Sequence, residues 1–170
     1  MEKLENQPCP VCHKKSCTLE EDEQDIPYFG KVFLYSMHCS KCGFHRADVE
    51  PAETHEPTKY TLTVEDENDL NVRLIKSSEA TVKIPYIVDI TPGPDSEGYV
   101  TNIEGLLNKV KERIESTLET EEDPQAKKQA WKLIKKLNKV IVGRDRLKII
   151  IEDPSGNSAI ISEKAEKKKL

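Results

Sequence analysis

The chain has 170 residues, 36% hydrophobic, 34% charged and 5% aromatic, which suits one globular domain or two small ones sharing a modest core. A formal charge of −5 speaks against nonspecific affinity for nucleic acid. No apolar run approaches the roughly 18 residues of a membrane span, and residues 1–10 hold no apolar block with a basic flank. The sequence therefore reads as cytoplasmic, with no membrane partner.

The charge is divided along the chain: residues 1–125 carry 13 basic and 26 acidic side chains, residues 126–170 carry 13 basic and 5 acidic. All five cysteines lie in the acidic front. In a reducing compartment an odd number of cysteines argues for metal binding rather than a disulfide framework.

In chain order, Cys9-Pro10-Val11-Cys12 opens the first segment, followed by the acidic run Glu20 to Asp25. Lys31 to His38 reads as a strand, since Val32, Phe33, Leu34 and Tyr35 are β-formers bounded by Gly30 and a turn at Cys39 to Gly43. Tyr60, Leu62 and Val64 alternate with polar residues and mark a half-buried strand from Thr58. Val72 to Ile75, Thr81 to Ile84 and Tyr86 to Ile90 read as short strands, with Pro85 forcing an edge or a bend, and Thr91 to Gly98 as a loop.

The period then becomes helical. Ile103, Leu106, Leu107, Val110 and Ile114 share one face, with Thr101 and Glu104 spaced as a capping box. A second helix starts at Asp123 and Pro124, turns Ala130, Leu133, Ile134, Leu137 and Ile141 inward and stops near Gly143. Leu147 to Ile151 reads as a strand, Asp153 to Asn157 as a turn, and Ala159 to Ile161 as the partner strand of a hairpin. The expected organisation is a zinc finger over residues 1–50, a β-domain over 51–100 and 143–162, a helical hairpin inserted at 101–142, and a disordered basic tail at 163–170.

Cys9, Cys12, Cys39 and Cys42 form two C-x2-C pairs separated by 26 residues. Two tight turns, each aiming two sulfurs at one ion, complete a tetrahedral Zn2+ shell with no open position, so one structural zinc is expected. An iron–sulfur centre has less support from this spacing. Cys17 is the leftover thiol, read as a small hydrophobe. His13, His38 and His45 read as surface or supporting groups, and His55 as a solvated linker residue. No phosphate loop, nucleophile elbow or open metal site is present, so the chain reads as noncatalytic.

The four cysteines are accompanied by Ile26 to Gly30 (IPYFG), Cys39 to Phe44 (CSKCGF), Tyr60 to Val64, Asp69 to Asn71, Ile84-Pro85, Asn102 to Leu107 and Asp153 to Ser158 (DPSGNS). With these motifs in this order over residues 9–161, the chain resembles the ZPR-type zinc-finger proteins. The resemblance implies a mainly β fold with α: a four-cysteine zinc finger, and a double-stranded β-helix-like domain with an inserted antiparallel helical hairpin. It further implies a binding protein for a translation elongation factor one-alpha-like GTPase, assisting its folding or regulating it. One module is present here, as in archaeal versions, against two in eukaryotic members.

Pro27, Tyr28 and Phe29 are candidate partner contacts, being an aromatic cluster in a chain poor in aromatics, with a plug on the core as the other reading. Asp153 and Asn157 are candidates for a recognition loop, against a turn held by backbone geometry. The rival function is a nucleic-acid-binding or transcription-associated zinc ribbon. Lys127, Lys128, Lys132, Lys135, Lys136 and Lys139 would then contact phosphates, opposed by the acidic finger; nucleic acid is the less favoured partner.

Overall fold

The computed structural model describes residues 2–26, 29–53 and 55–170. Twelve strands, two α-helices and a short 3-10 helix (Glu67–Asn71) form among them: β1 (Glu2–Pro8), β2 (Lys15–Ile26), β3 (Gly30–Cys39), β4 (His45–Pro51), β5 (Thr58–Val64), β6 (Arg73–Lys76), β7 (Thr81–Ile84), β8 (Val88–Ile90), β9 (Tyr99–Asn102), α1 (Ile103–Thr120), α2 (Pro124–Ile141), β10 (Leu147–Asp153), β11 (Ala159–Ile161) and β12 (Glu166–Lys169). The fold is mainly β with a helical pair, in agreement with the patterning.

The first four strands make an antiparallel sheet in sequential order. The acidic run, unassigned from sequence, lies in β2, where Glu23 accepts from Lys31 Nζ at 2.5 Å and Glu20 pairs with Lys3 at 3.5 Å. Cys17 at one end of β2 faces Cys39, and Ile26 at the other faces Gly30. Nine residue steps separate these ends, roughly 30 Å at strand rise.

Ile26, Val32 and Val49, each no more than 2% exposed, belong to the same hydrophobic core as the strands beyond residue 58. Gly98 allows this approach. A Cβ there would stand 2.6 Å from Asp48 Oδ1 and 2.8 Å from the Val49 backbone nitrogen. Glu97 adds an acceptor for the Ala47 N–H at 3.2 Å.

The β-domain consists of a five-stranded antiparallel sheet, β12-β5-β10-β7-β8, and a three-stranded one, β11-β6-β9. β5 alternates as expected, with Thr58, Tyr60, Leu62 and Val64 buried, and β10, continuously apolar over Leu147 to Ile151 in sequence, also alternates, with Leu147, Ile149, Ile151 and Asp153 buried. Leu74 and Ile75 of β6 and Ile160 of β11 complete the core.

Several expectations are corrected. Ala159 to Ile161 does not pair with Leu147 to Ile151: β10 lies between β5 and β7, while β11 pairs with β6 in the other sheet. The segment after Asp153 thus carries the chain between sheets rather than closing a hairpin. Residues 163–170 do not fray. Glu166–Lys169 pairs with β5, and Lys164 Nζ donates to the buried Asp69 carboxylate at 2.8 Å. A lysine-rich segment looks disordered by composition, but as an edge strand it needs no apolar face.

Helix α1 is capped by Asn102, which accepts the Gly105 N–H at 2.8 Å; Thr101 is in β9, paired with Leu74. α2 begins as expected, with the Asp123 carboxylate accepting the Gln125 N–H at 2.9 Å and Pro124 at the first helical position. Burial is confined to the base of the hairpin, at Ile103, Leu106, Leu107 and Val110 of α1 and Ile134, Leu137 and Val140 of α2. Ala130 and Leu133, nearer the tip, are only half-buried.

Candidate metal centre

The connection between β1 and β2 carries Cys9 and Cys12, while Cys39 ends β3 and Cys42 lies in the turn from β3 to β4, so sheet pairing brings both turns to one end of the sheet. The turns share one hydrogen-bond scheme. The His13 N–H donates to Cys9 O at 2.9 Å and the Gly43 N–H to Cys39 O at 3.0 Å. The Cys9 N–H donates to Lys14 O at 2.9 Å and the Cys39 N–H to Phe44 O at 2.8 Å. In each turn the residue after the second cysteine is left-handed, His13 at φ 57° and Gly43 at φ 73°.

The four Sγ atoms lie within 4.8 Å of one another. Cys9 and Cys42 approach to 3.6 Å, Cys12 and Cys39 to 3.7 Å. A tetrahedron of Zn–S bonds of roughly 2.3 Å has edges of about 3.8 Å, so these two pairs already stand at the separations a zinc ion imposes and the whole set lies within about 1 Å of them.

Electrostatics lead to the same place. The Ser16 hydroxyl, 3.2 Å from Cys39 Sγ, holds that thiol down to about 5 against the opposing effect of burial. Burial opposes ionisation of Cys9, but the backbone N–H groups of Cys12 and Val11, each 3.4 Å from its sulfur, bring it below the ordinary thiol range. At Cys42 the Phe44 N–H favours the thiolate, yet burial and the neighbouring sulfurs of Cys39, Cys9 and Cys12 push it up to about 12. Four thiolates this close repel one another, and only a cation at their centre removes that conflict. The donor set therefore fits one zinc ion, and with four protein ligands it leaves no position for substrate.

Cys17 is fully buried against Cys9 and Cys39, outside the four-sulfur cluster, and burial pushes its thiol up to about 12. His38 and His45 are exposed and face each other across β3 and β4 with ring centroids 6.3 Å apart; His45 Nδ1 lies 3.4 Å from Glu97. Ser16 and the His13 conformation escaped the sequence reading. The second was signalled by the equivalence of His13 with Gly43, each following the second cysteine of its pair.

The other candidate residues are scattered. Pro27 and Tyr28 lie outside the described residues. Phe29 is half-buried against the core, its ring 5.0 Å from that of His55. His55 is correspondingly half-buried, not solvated. Asp153 is fully buried and has no contact surface: its carboxylate accepts from the Ser77 and Ser158 hydroxyls and from the Ser155 N–H and hydroxyl. Asn157 is half-buried beside it. The α2 lysines are exposed apart from the half-buried Lys136.

A four-thiolate centre on a β-sheet whose other end enters a two-sheet β-domain defines a zinc-finger protein with an associated β-sandwich. Family models agree: one described as the ZPR1 zinc-finger domain matches residues 1–57, and one described as the ZPR1 jelly-roll domain matches residues 68–170. The chain belongs to the ZPR1 family. A ZPR1-like protein of Methanocaldococcus jannaschii is 42% identical over 100% of this chain and 87% of its own length. The zinc finger chaperone zpr1 of Schizosaccharomyces pombe is 40% identical over 79% of this chain, and zinc finger protein ZPR1 of Homo sapiens 29% identical over 88%. The matched part spans 30% and 34% of those two proteins. Among the described residues no helix is long and apolar enough to cross a membrane.

Proposed function

We propose that this protein is a noncatalytic zinc-binding chaperone that binds a translation elongation factor one-alpha-like GTPase in the cytoplasm and assists its folding. The observation that carries this reading is the closed four-sulfur centre at the free end of a sheet anchored in the β-domain. Such a metal contributes rigidity and leaves no coordination site for a reaction. The chaperone role is supported by 40% identity to a protein named a zinc finger chaperone. The GTPase partner is what the family resemblance implies.

The test is affinity capture from native extract on the zinc-loaded protein, with a parallel bait in which Cys39 and Cys42 are serine. The reading expects the elongation factor on the intact bait alone. Capture of RNA polymerase, ribosomes or salt-sensitive nucleic acid instead would replace it with the zinc-ribbon reading, for which α2, with six lysines and no acidic residue, would be the contact.

A further inference from the structure

The five-stranded sheet ends in two different edges. β12 presents Glu166, Lys167, Lys168 and Lys169, the charged kind of edge that resists further pairing. β8, at the opposite edge, presents Val88, Asp89 and Ile90 and has no strand paired on its outer side among the described residues. A groove of about 470 Å³ runs between this edge and α1. Its floor is apolar, from Ile90, Leu106, Val110 and Ile114. Its α1 wall carries Lys109 and Arg113, one helical turn apart, neither in an ion pair among the described residues; Asp89 is the acidic group on the strand side. Lys109 Nζ rests 3.7 Å from the centroid of Tyr99, which fixes its charge at the groove.

Tyr86 supplies an independent observation. In the turn from Ile84 to Ile87, closed by the Ile87 N–H on Ile84 O at 2.9 Å, Pro85 is followed by Tyr86 at φ 67°. That third position of a type II turn favours glycine. Tyr86 is also 96% exposed, so its ring recovers no packing energy for the strained backbone. An unfavourable conformation that holds an aromatic ring in solvent, two residues before an open strand edge, fits a contact made with another molecule.

We propose that β8 and the α1 groove bind an extended acidic segment of a partner protein, which adds a strand to β8. Its apolar side chains would enter the groove, its carboxylates would meet Lys109 and Arg113, and Tyr86 would cover one end. Main-chain hydrogen bonds supply affinity in this mode and side-chain pockets supply specificity. The occupant is an acidic peptide because the groove sets two cations, neither in an ion pair among the described residues, against the single carboxylate of Asp89, and because an open strand edge recognises polypeptide backbone. The site is distinct from the zinc centre and does not depend on the partner proposed above.

The probe is a blocked hexapeptide, Glu-Ser-Val-Ser-Glu-Ser, whose glutamates and valine share one face of a strand, titrated into the zinc-loaded, isotope-labelled full chain while amide resonances are followed by NMR. Saturable shifts centred on Val88–Ile90 and α1 are expected. The same peptide with lysine in place of glutamate, or the acidic peptide with a central proline, should bind at least tenfold more weakly. Reversing both charges (Lys109→Glu with Arg113→Glu) should weaken binding tenfold or more. Tyr86→Gly should weaken it severalfold while raising the melting temperature, so loss of binding cannot be loss of fold. Absence of shifts, shifts elsewhere, indifference to peptide charge or proline, or groove shifts produced by an oligouridine probe but not by the peptide would overturn the proposal.

Discussion

His13 and Gly43 occupy equivalent places in the two metal-binding turns, but only one is glycine. Left-handed backbone costs a residue with a Cβ roughly 1–2 kcal/mol, partly offset by glycine's greater freedom in the unfolded chain. His13→Gly should therefore stabilise the zinc-loaded protein by about 0.5–1 kcal/mol, and Gly43→Ala should destabilise it by a similar amount, both read by chemical denaturation. Asp153 sets a larger effect. Burial opposes its charge, but the hydroxyls of Ser158, Ser155 and Ser77 and the Ser155 N–H outweigh it and hold the carboxyl below its ordinary range. Asp153→Ala leaves these donors without an acceptor and should cost on the order of 2–4 kcal/mol at pH 7. Because the folded carboxyl is the stronger acid, its contribution is present above about pH 4, the unfolded value, and disappears as pH falls through the folded one. The stability gap between the wild type and the variant should narrow accordingly below about pH 4.

At the scale of elements, periodicity located what it could encode. The strand at Thr58–Val64 alternates because one face meets the core, and α1 and α2 show an apolar stripe where they pack. Pairing was not legible in the same way. Ala159–Ile161 follows a good turn sequence, yet its partner is β6, because the Asp153–Ser77 hydrogen bond ties the connection to the segment leaving β6. β12 has no hydrophobic signature and is recognisable only from its register with β5 and from the Lys164–Asp69 contact. Removing residues 163–170 should therefore lower stability by on the order of 2 kcal/mol, since it strips one edge of β5 and leaves the buried Asp69 without its cation. A calorimetric melting temperature unchanged by the truncation would show that β12 contributes nothing.

For the whole molecule, the metal site was readable from spacing alone, because the chemistry demands two tight turns and the turns are local. What spacing cannot express is the span of sheet between that site and the core, which depends on the β2 and β3 register from Cys17–Cys39 to Ile26–Gly30. The candidate contacts fared differently for a physical reason: Asp153 is a polar residue in a turn-like sequence, and only three-dimensional packing reveals that its partners are internal serines. A closed four-thiolate centre makes the rigid end of this sheet, and structural zinc of this kind contributes on the order of 10 kcal/mol. The most direct test is the zinc content of the purified wild type, Cys39→Ser and Cys17→Ala proteins, measured by mass spectrometry of the metal. One zinc per chain in the wild type and Cys17→Ala, and its loss in Cys39→Ser, is the predicted result. Full zinc content in Cys39→Ser, or its loss in Cys17→Ala with the fold intact, would contradict it.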